Sequence, residues 1–198
     1  MKRVLFVVSH LCSGSSALFH TLDTHPRIQM ANLLATYTHP FDLGVLTSTP
    51  HKNGTTAAYW GDHLLFNYQL GYRGFYETCK FVYVIRQPKA TLNEIMSKSD
   101  NYSPLTALRY YSFRLRRMYE MAACTPDAVL ARRQHIVSGA VLPLIEDYLD
   151  LDLPLRREPD LLMEEAASGL VPDEIIEEGQ DCFEKYYYLI RDLGLKCV

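Results

Sequence analysis

The sequence predicts an α/β protein: a central parallel sheet flanked by helices, with a helical carboxyl-terminal half, in one domain over residues 1–198. Two short, unbroken apolar runs, Val4 to Val8 and Phe81 to Ile85, are apolar on both faces, as buried parallel strands are. Each run opens into a loop and then a helix, the strand–loop–helix order of a parallel sheet. Beyond Pro88 helical periodicity takes over.

The elements follow in order. Lys2 to Val8 reads as a central strand, and Ser9 to Ser16 as a loop of small residues. A helix from Ser16 to about Asp23 places Leu18, Phe19 and Leu22 on one side, and Thr24-His25-Pro26 stops it. Arg27 to Ala31 suits a second, short strand. Asn32 to Thr56, rich in Thr, Pro, His and Gly, reads as loop and short helix forming a rim over a substrate site. Leu64 to Tyr76 is expected to be helical. Lys80 to Ile85 is the second strong strand, followed at once by Arg86-Gln87-Pro88. Pro88 suits the first turn of a helix reaching about Ser97. Pro104 opens a long helix through Cys124, with Leu105, Leu108, Tyr111, Leu115, Met118 and Tyr119 as its apolar stripe. Val137 to Leu149 and Asp173 to Leu193 complete the helical half.

Composition narrows the function classes. Apolar residues make up 48% and charged residues 22%, ordinary for a globular chain. A net charge of −3 gives no global attraction to nucleic acid or an anionic membrane, so neither is an expected partner and any anion site is local. The five cysteines, among them Cys12, are scattered and never spaced as C-x-x-C, which fits a reducing cytoplasm better than a disulfide framework or a zinc site. Lys2 and Arg3 before the Val4 to Val8 run imitate a secretory signal, but Ser9 and His10 break that run after five residues, and a buried strand explains it. No stretch has the length of a membrane span.

The loop Ser9 to Ser16 carries the first chemistry. The first amides of a helix lack internal partners, the helix dipole is positive there, and Gly14 lets a phosphate approach the backbone. Ser13, Ser15 and Ser16 add hydroxyl donors. The same residues also suit a tight serine-rich turn. A Walker A loop needs a lysine directly after its second glycine, and Ser15 stands in that place, so a nucleotide kinase-like phosphotransferase is the least favoured class.

Several segments together resemble the PAPS-dependent sulfotransferases. Leu11-Cys12-Ser13-Gly14-Ser15-Ser16, followed by Leu22-Asp23-Thr24-His25-Pro26, resembles that family's 5′-phosphosulfate loop, Pro-Arg/Lys-Ser-Gly-Thr/Ser-Thr/Ser, with its helix and His-Pro. Trp60-Gly61-Asp62-His63 looks like the Gly-Asp-Lys-Thr-Pro element of bacterial members. Lys80 to Lys89 resembles the strand and loop that hold the nucleotide 3′-phosphate. Asp147-Tyr148-Leu149-Asp150-Leu151, late in Arg132 to Pro154, is similar to the segment ending Phe-Leu-Gly-Leu-Pro. The resemblance covers about residues 4 to 154 and is that of a compact bacterial or viral-type member.

The resemblance implies a P-loop NTPase-like sulfotransferase fold and transfer of sulfonate from 3′-phosphoadenosine 5′-phosphosulfate to a hydroxyl or amine of a small-molecule or glycan acceptor. It implies no metal, since protein donors can stabilise the leaving phosphate. It assigns Cys12, Ser13, Gly14, Ser15 and Ser16 to the donor's 5′ end, and Arg86 to the 3′-phosphate, which a bidentate guanidinium suits. Arg86 would otherwise be an ordinary surface ion pair; its place after a parallel strand, where ligands gather in open α/β sheets, favours the ligand. His63 is the candidate base, because imidazole titrates near neutrality, although it also suits a merely hydrogen-bonded histidine and His10, His39 and His51 are loop candidates too.

Three departures separate the chain from that family. Cys12 replaces a basic residue that contacts the transferring group. Glu94 replaces a serine eight residues after the arginine, where a carboxylate would repel a phosphate unless turned away, leaving Asn93 or Ser97 to contribute. No late Arg-x-Gly segment is present, and Arg156 and Arg157 read as its substitutes or as a solvated patch. Cys12 and Glu94 together suggest the alternative of a non-catalytic phosphonucleotide-binding or interaction protein on the same fold. Arg109, Arg114, Arg116 and Arg117 spread over more than one helix face and read as solvated surface. Tyr186, Tyr187 and Tyr188 read as core and rim of the last helix, and Glu164-Glu165 and Glu177-Glu178 as solvated helix faces.

Overall fold

A computed structural model describes residues 3–33, 35–50, 57–157 and 169–198. Six parallel strands form one sheet in the order β2-β3-β1-β4-β5-β6: β1 Arg3–Ser9, β2 Ile28–Met30, β3 Tyr59–Leu64, β4 Lys80–Ile85, β5 Val129–Arg132 and β6 Lys196–Cys197. The α/β class and the parallel sheet flanked by helices are as the sequence predicts.

The pleat of β1 sets two cores. Val4, Phe6 and Val8 face one side and Leu5 and Val7 the other, as a period of two requires. The first side packs under helices α4 Pro88–Lys98, α5 Pro104–Ala122 and α8 Asp173–Arg191. Two shorter helices, α2 Asp42–Ser48 and α3 Phe75–Thr78, add Leu46, Phe75 and Tyr76 to the same side. The second side packs under α1 Ser15–Asp23, α6 Arg133–Ser138 and α7 Leu142–Leu149. Neighbouring strands β1 and β4 therefore send their following helices to opposite faces, α1 to one and α4 to the other. That divergence makes the carboxyl ends of β1 and β4 a topological switch point, the place where open α/β sheets bind ligands.

Several expectations are corrected. Leu64 to Tyr76 is not a helix. Leu64 ends a strand, Gln69 Oε1 accepts the amides of Leu65 and Phe66 at 2.6 and 2.7 Å, and only Phe75–Thr78 is helical. The side chain of Gln69 thus takes the partners that a helix would supply. Val137 to Leu149 is two helices, because Gly139 at φ +78° turns the chain between them. In α5, Leu105 is 45% exposed and Arg114 only 1%, so an arginine replaces a leucine on the buried stripe. Ser103 caps that helix by accepting the Thr106 amide, with Pro104 in the first turn. Residues 51–56, which end the expected rim, and Glu164-Glu165 lie outside the described residues.

Candidate functional site

The loop between β1 and α1 lies at this switch point. Gly14, the N-cap of α1, sits at φ +83°, and Cys12 at φ +59°, so the chain folds tightly back after Leu11. Ser15 donates its amide to Ser13 Oγ at 3.3 Å, and Ala17 donates to the Gly14 carbonyl. The free ends of the remaining first-turn amides give this helix start a positive potential.

Beneath the loop, three hydroxyls and one imidazole form a buried cluster. Ser9 Oγ and Ser15 Oγ lie 2.8 Å apart, each is 2.8 Å from His63 Nε2, and Ser13 Oγ donates to Ser15 Oγ at 3.0 Å. His63 sits at the carboxyl end of β3, in register with Val7 of β1, which brings it beside the last residue of β1. Burial first, and the Arg114 guanidinium second, push its pKa down to about 4, so the ring is neutral at pH 7.

His10 fixes the loop from the other side. Its Nδ1–H donates to the Leu11 carbonyl at 2.8 Å, so Nε2 is free to accept the Arg86 amide at 3.1 Å. Complete burial lowers its pKa to about 4 as well. Tyr111 Oη donates to the Arg86 carbonyl at 2.7 Å, and Tyr110 Oη accepts the Leu11 amide at 2.8 Å.

Four cationic side chains, Arg114, Arg86, Lys98 and Arg133, surround this frame. Arg114 Nε donates to the Ser9 carbonyl at 2.7 Å, Nη2 donates to the Leu64 carbonyl, and Nη1 donates to Asn67 Oδ1 at 3.1 Å. It ties the carboxyl ends of β1 and β3 to α5, and the sequence reading of it as solvated surface is overturned. Arg86 Nη1 donates to the Cys12 carbonyl at 2.8 Å and pairs with the Glu94 carboxylate. Lys98 Nζ holds the other oxygen of Glu94 at 2.7 Å. Burial pushes the Glu94 carboxyl up, but the hydrogen bonds from Lys98 and Arg86 outweigh it and hold the group below its ordinary value. Glu94 therefore does not turn away from the arginine. Arg133, the first residue of α6, lays its side chain along Gly14: a Cβ there would meet its Cγ, Cδ and Nε at 3.0 Å.

The structure thus gathers Cys12, Ser13, Gly14, Ser15, Ser16, His63 and Arg86 in and around one loop. It does not bring Asn93 or Ser97 there. Asn93 is buried, donating to the Lys89 carbonyl and accepting the Leu170 amide at 2.8 Å each, a brace between α4 and the start of α8. Ser97 is exposed and donates to the Glu94 carbonyl. The Cys12 thiol is pushed up to about 11, by burial first and Glu94 second, so it is neutral and carries no anion. Arg156 and Arg157 are exposed, as are Glu177 and Glu178, while Tyr186 and Tyr187 are half-buried and Tyr188 is 47% exposed.

Asp62 holds the rim. Its carboxylate accepts the Leu33 amide at 2.9 Å and the Tyr37 hydroxyl at 2.7 Å. A cavity of about 350 Å³ lies at the opposite, amino edge of the sheet, lined by Arg3, Tyr76, Lys80 and Asp127, and shares no residue with the loop. Among the described residues no group of three or more His, Cys, Asp or Glu is arranged to hold a metal, and no helix is long and apolar enough to cross a membrane. Comparison with protein-family models and with curated proteins finds no match.

Sequence reasoning missed Arg114, Arg133 and the structural part played by His10. Arg114 carries a legible signal, since it falls three residues after Tyr111 and one before Leu115 on the apolar stripe. Arg133 carries none, because its place beside Gly14 comes from the register of β5, two strands from β1 in the sheet and more than a hundred residues on in the chain.

Proposed function

We propose that the chain is a sulfotransferase that takes 3′-phosphoadenosine 5′-phosphosulfate at the carboxyl edge of its sheet and passes the sulfonate to a hydroxyl or amine of a small-molecule or glycan acceptor. The observation that carries the proposal is the loop from His10 to Ser16, a helix start at the carboxyl ends of β1 and β4 with serine hydroxyls, Arg86 and Arg133 around it. Such a helix start, walled by cations and low-dielectric protein, suits the charge that gathers on a leaving phosphate.

In the proposed reaction the acceptor oxygen or nitrogen attacks sulfur in line, the bond from sulfur to the bridging oxygen breaks, and adenosine 3′,5′-bisphosphate leaves with that oxygen's electron pair. The acceptor proton goes to His63. Since His63 reaches the loop through Ser15, the proton passes to Ser15 Oγ as the Ser15 proton moves to Nε2, which requires the tautomer protonated on Nδ1. Burial keeps the ring neutral before the step, so its Nε2 lone pair can take the proton.

A second reading, nucleotide binding without transfer, is favoured by a specific observation: the Glu94 carboxylate already neutralises Arg86, and Cys12 supplies no charge. One experiment separates the two. Purified protein incubated with the ³⁵S-labelled donor and an acceptor panel is expected to transfer label, and His63→Ala is expected to lose transfer while still binding the bisphosphate. Binding of the bisphosphate with no transfer to any acceptor would establish the second reading. Binding of ATP with Mg²⁺ but not of the bisphosphate would overturn both.

A further inference from the structure

The basic side chains around the loop differ in what they have left to give. Arg114 spends all three of its guanidinium nitrogens on Ser9, Leu64 and Asn67. Arg86 uses Nη1 for both the Cys12 carbonyl and Glu94, which neutralises its charge, and Lys98 pairs with the other Glu94 oxygen. Arg133 is different. Its Nε is buried and has no hydrogen-bond partner, one of two such side-chain nitrogens among the described residues.

A buried, unpaired donor costs about 1–3 kcal/mol, more when it belongs to a charged group, so its persistence calls for a compensating partner. The position of the side chain says where that partner would sit. Arg133 Cγ, Cδ and Nε all lie 3.0 Å from the place where a Cβ would stand at Gly14, so the guanidinium stem runs along the N-cap of α1. The neighbouring Arg132 goes the other way, its guanidinium 5.3 Å from the Tyr187 ring centroid on the α8 side. The other orphan, His135 Nδ1, is two residues on and about 200° around the helix, so it is not part of the same arrangement. Burial and the nearby Arg86 guanidinium both disfavour the positive charge on Arg133, which a bound anion would relieve.

We propose that Arg133 is the anion-binding cation of the loop: its guanidinium closes over Gly14 and contacts the phosphosulfate end of the nucleotide, replacing the charge that Cys12 does not supply. The proposal rests on the sulfotransferase reading for the identity of the nucleotide, but not for the anion site itself. It also explains why position 14 must be glycine for a second reason besides its positive φ. A side chain there would displace Arg133 as well as strain the turn.

Titration calorimetry with two probes, inorganic pyrophosphate and 3′-phosphoadenosine 5′-phosphosulfate, tests it on the full chain. Wild type is expected to bind both. Arg133→Ala is expected to weaken both about 10- to 100-fold, the loss of one charge-assisted contact, while Arg133→Lys recovers part of it. A thermal melt without ligand checks that each variant is folded; if Arg133→Ala is not, Arg133→Gln, which keeps the stem, takes its place. Pyrophosphate binding that depends on Arg133, with no binding of the nucleotide, would sink the sulfotransferase reading and leave this inference standing. Nucleotide binding of equal strength in wild type and Arg133→Ala would overturn the inference and leave the reading intact. No binding of either probe by wild type overturns both.

Discussion

At the scale of single residues, the site is held together by groups whose charge state is decided by burial. His10 and His63 are both pushed down to about 4, and both make hydrogen bonds that the neutral ring alone can complete. For a base with a lowered folded-state value, the unfolded chain binds the proton first as pH falls. The stabilisation is therefore complete above about 6.5 and drains away between 6.5 and 4. Each histidine should contribute a loss of about 2 kcal/mol between pH 7.5 and 5. Urea melts at those two pH values are expected to show a smaller fall for His63→Gln than for wild type; equal falls would mean that His63 is not buried as described. Glu94 acts in a separate window. Its depressed carboxyl stabilises the fold above the ordinary value of 4.5, and that contribution is lost as pH falls through the lower folded-state value. The departures noted at Cys12 and Glu94 were legible in the sequence as misfits. What they pair with was not, because the carboxylate's partner is settled by the turn of α4 that brings residue 94 under residue 86.

Among the elements, those that announce themselves are the ones with uninterrupted apolar runs or long helical stripes: β1, β4, α5 and α8. The strand β3 does not, since Gly61, Asp62 and His63 interrupt its hydrophobic pattern, yet all are buried because the residues do work at its end. Asp62 satisfies rim amides and His63 the loop serines, so the polar residues are paid for by their hydrogen bonds rather than by solvent. The four-residue β5 is too short for a periodic signal, and the two-residue β6 shorter still. Helix α8 crosses α4 and α5 at Gly179, where a Cβ would lie 3.0 Å from Pro88 Cβ and 3.4 Å from Leu92 and Leu108. The proline ring cannot step aside as a flexible side-chain end can. Gly179→Leu is expected to destabilise the protein by about 1–3 kcal/mol in denaturant melts, despite its better helix propensity. A neutral or stabilising result would show that α8 packs less closely than described.

For the molecule as a whole, the order of the strands explains why the chemistry collects where it does. Because α1 and α4 leave neighbouring strands for opposite faces, the loop after β1 and the residues after β4 meet without either helix covering them. Arg114 then anchors α5 to the strand ends on which the loop rests. The sequence made the fold class and the loop readable, since both are local patterns. The group of arginines was not readable, because it is assembled from the loop after β4, from α5 and from α6, segments far apart along the chain. The most direct test is a crystal structure with adenosine 3′,5′-bisphosphate. The 5′-phosphate is expected on the Gly14 turn, within hydrogen-bond reach of Ser15 or Ser16 amides and of Arg133. A nucleotide seated instead at the amino edge, in the cavity beside Lys80 and Asp127, would contradict the account.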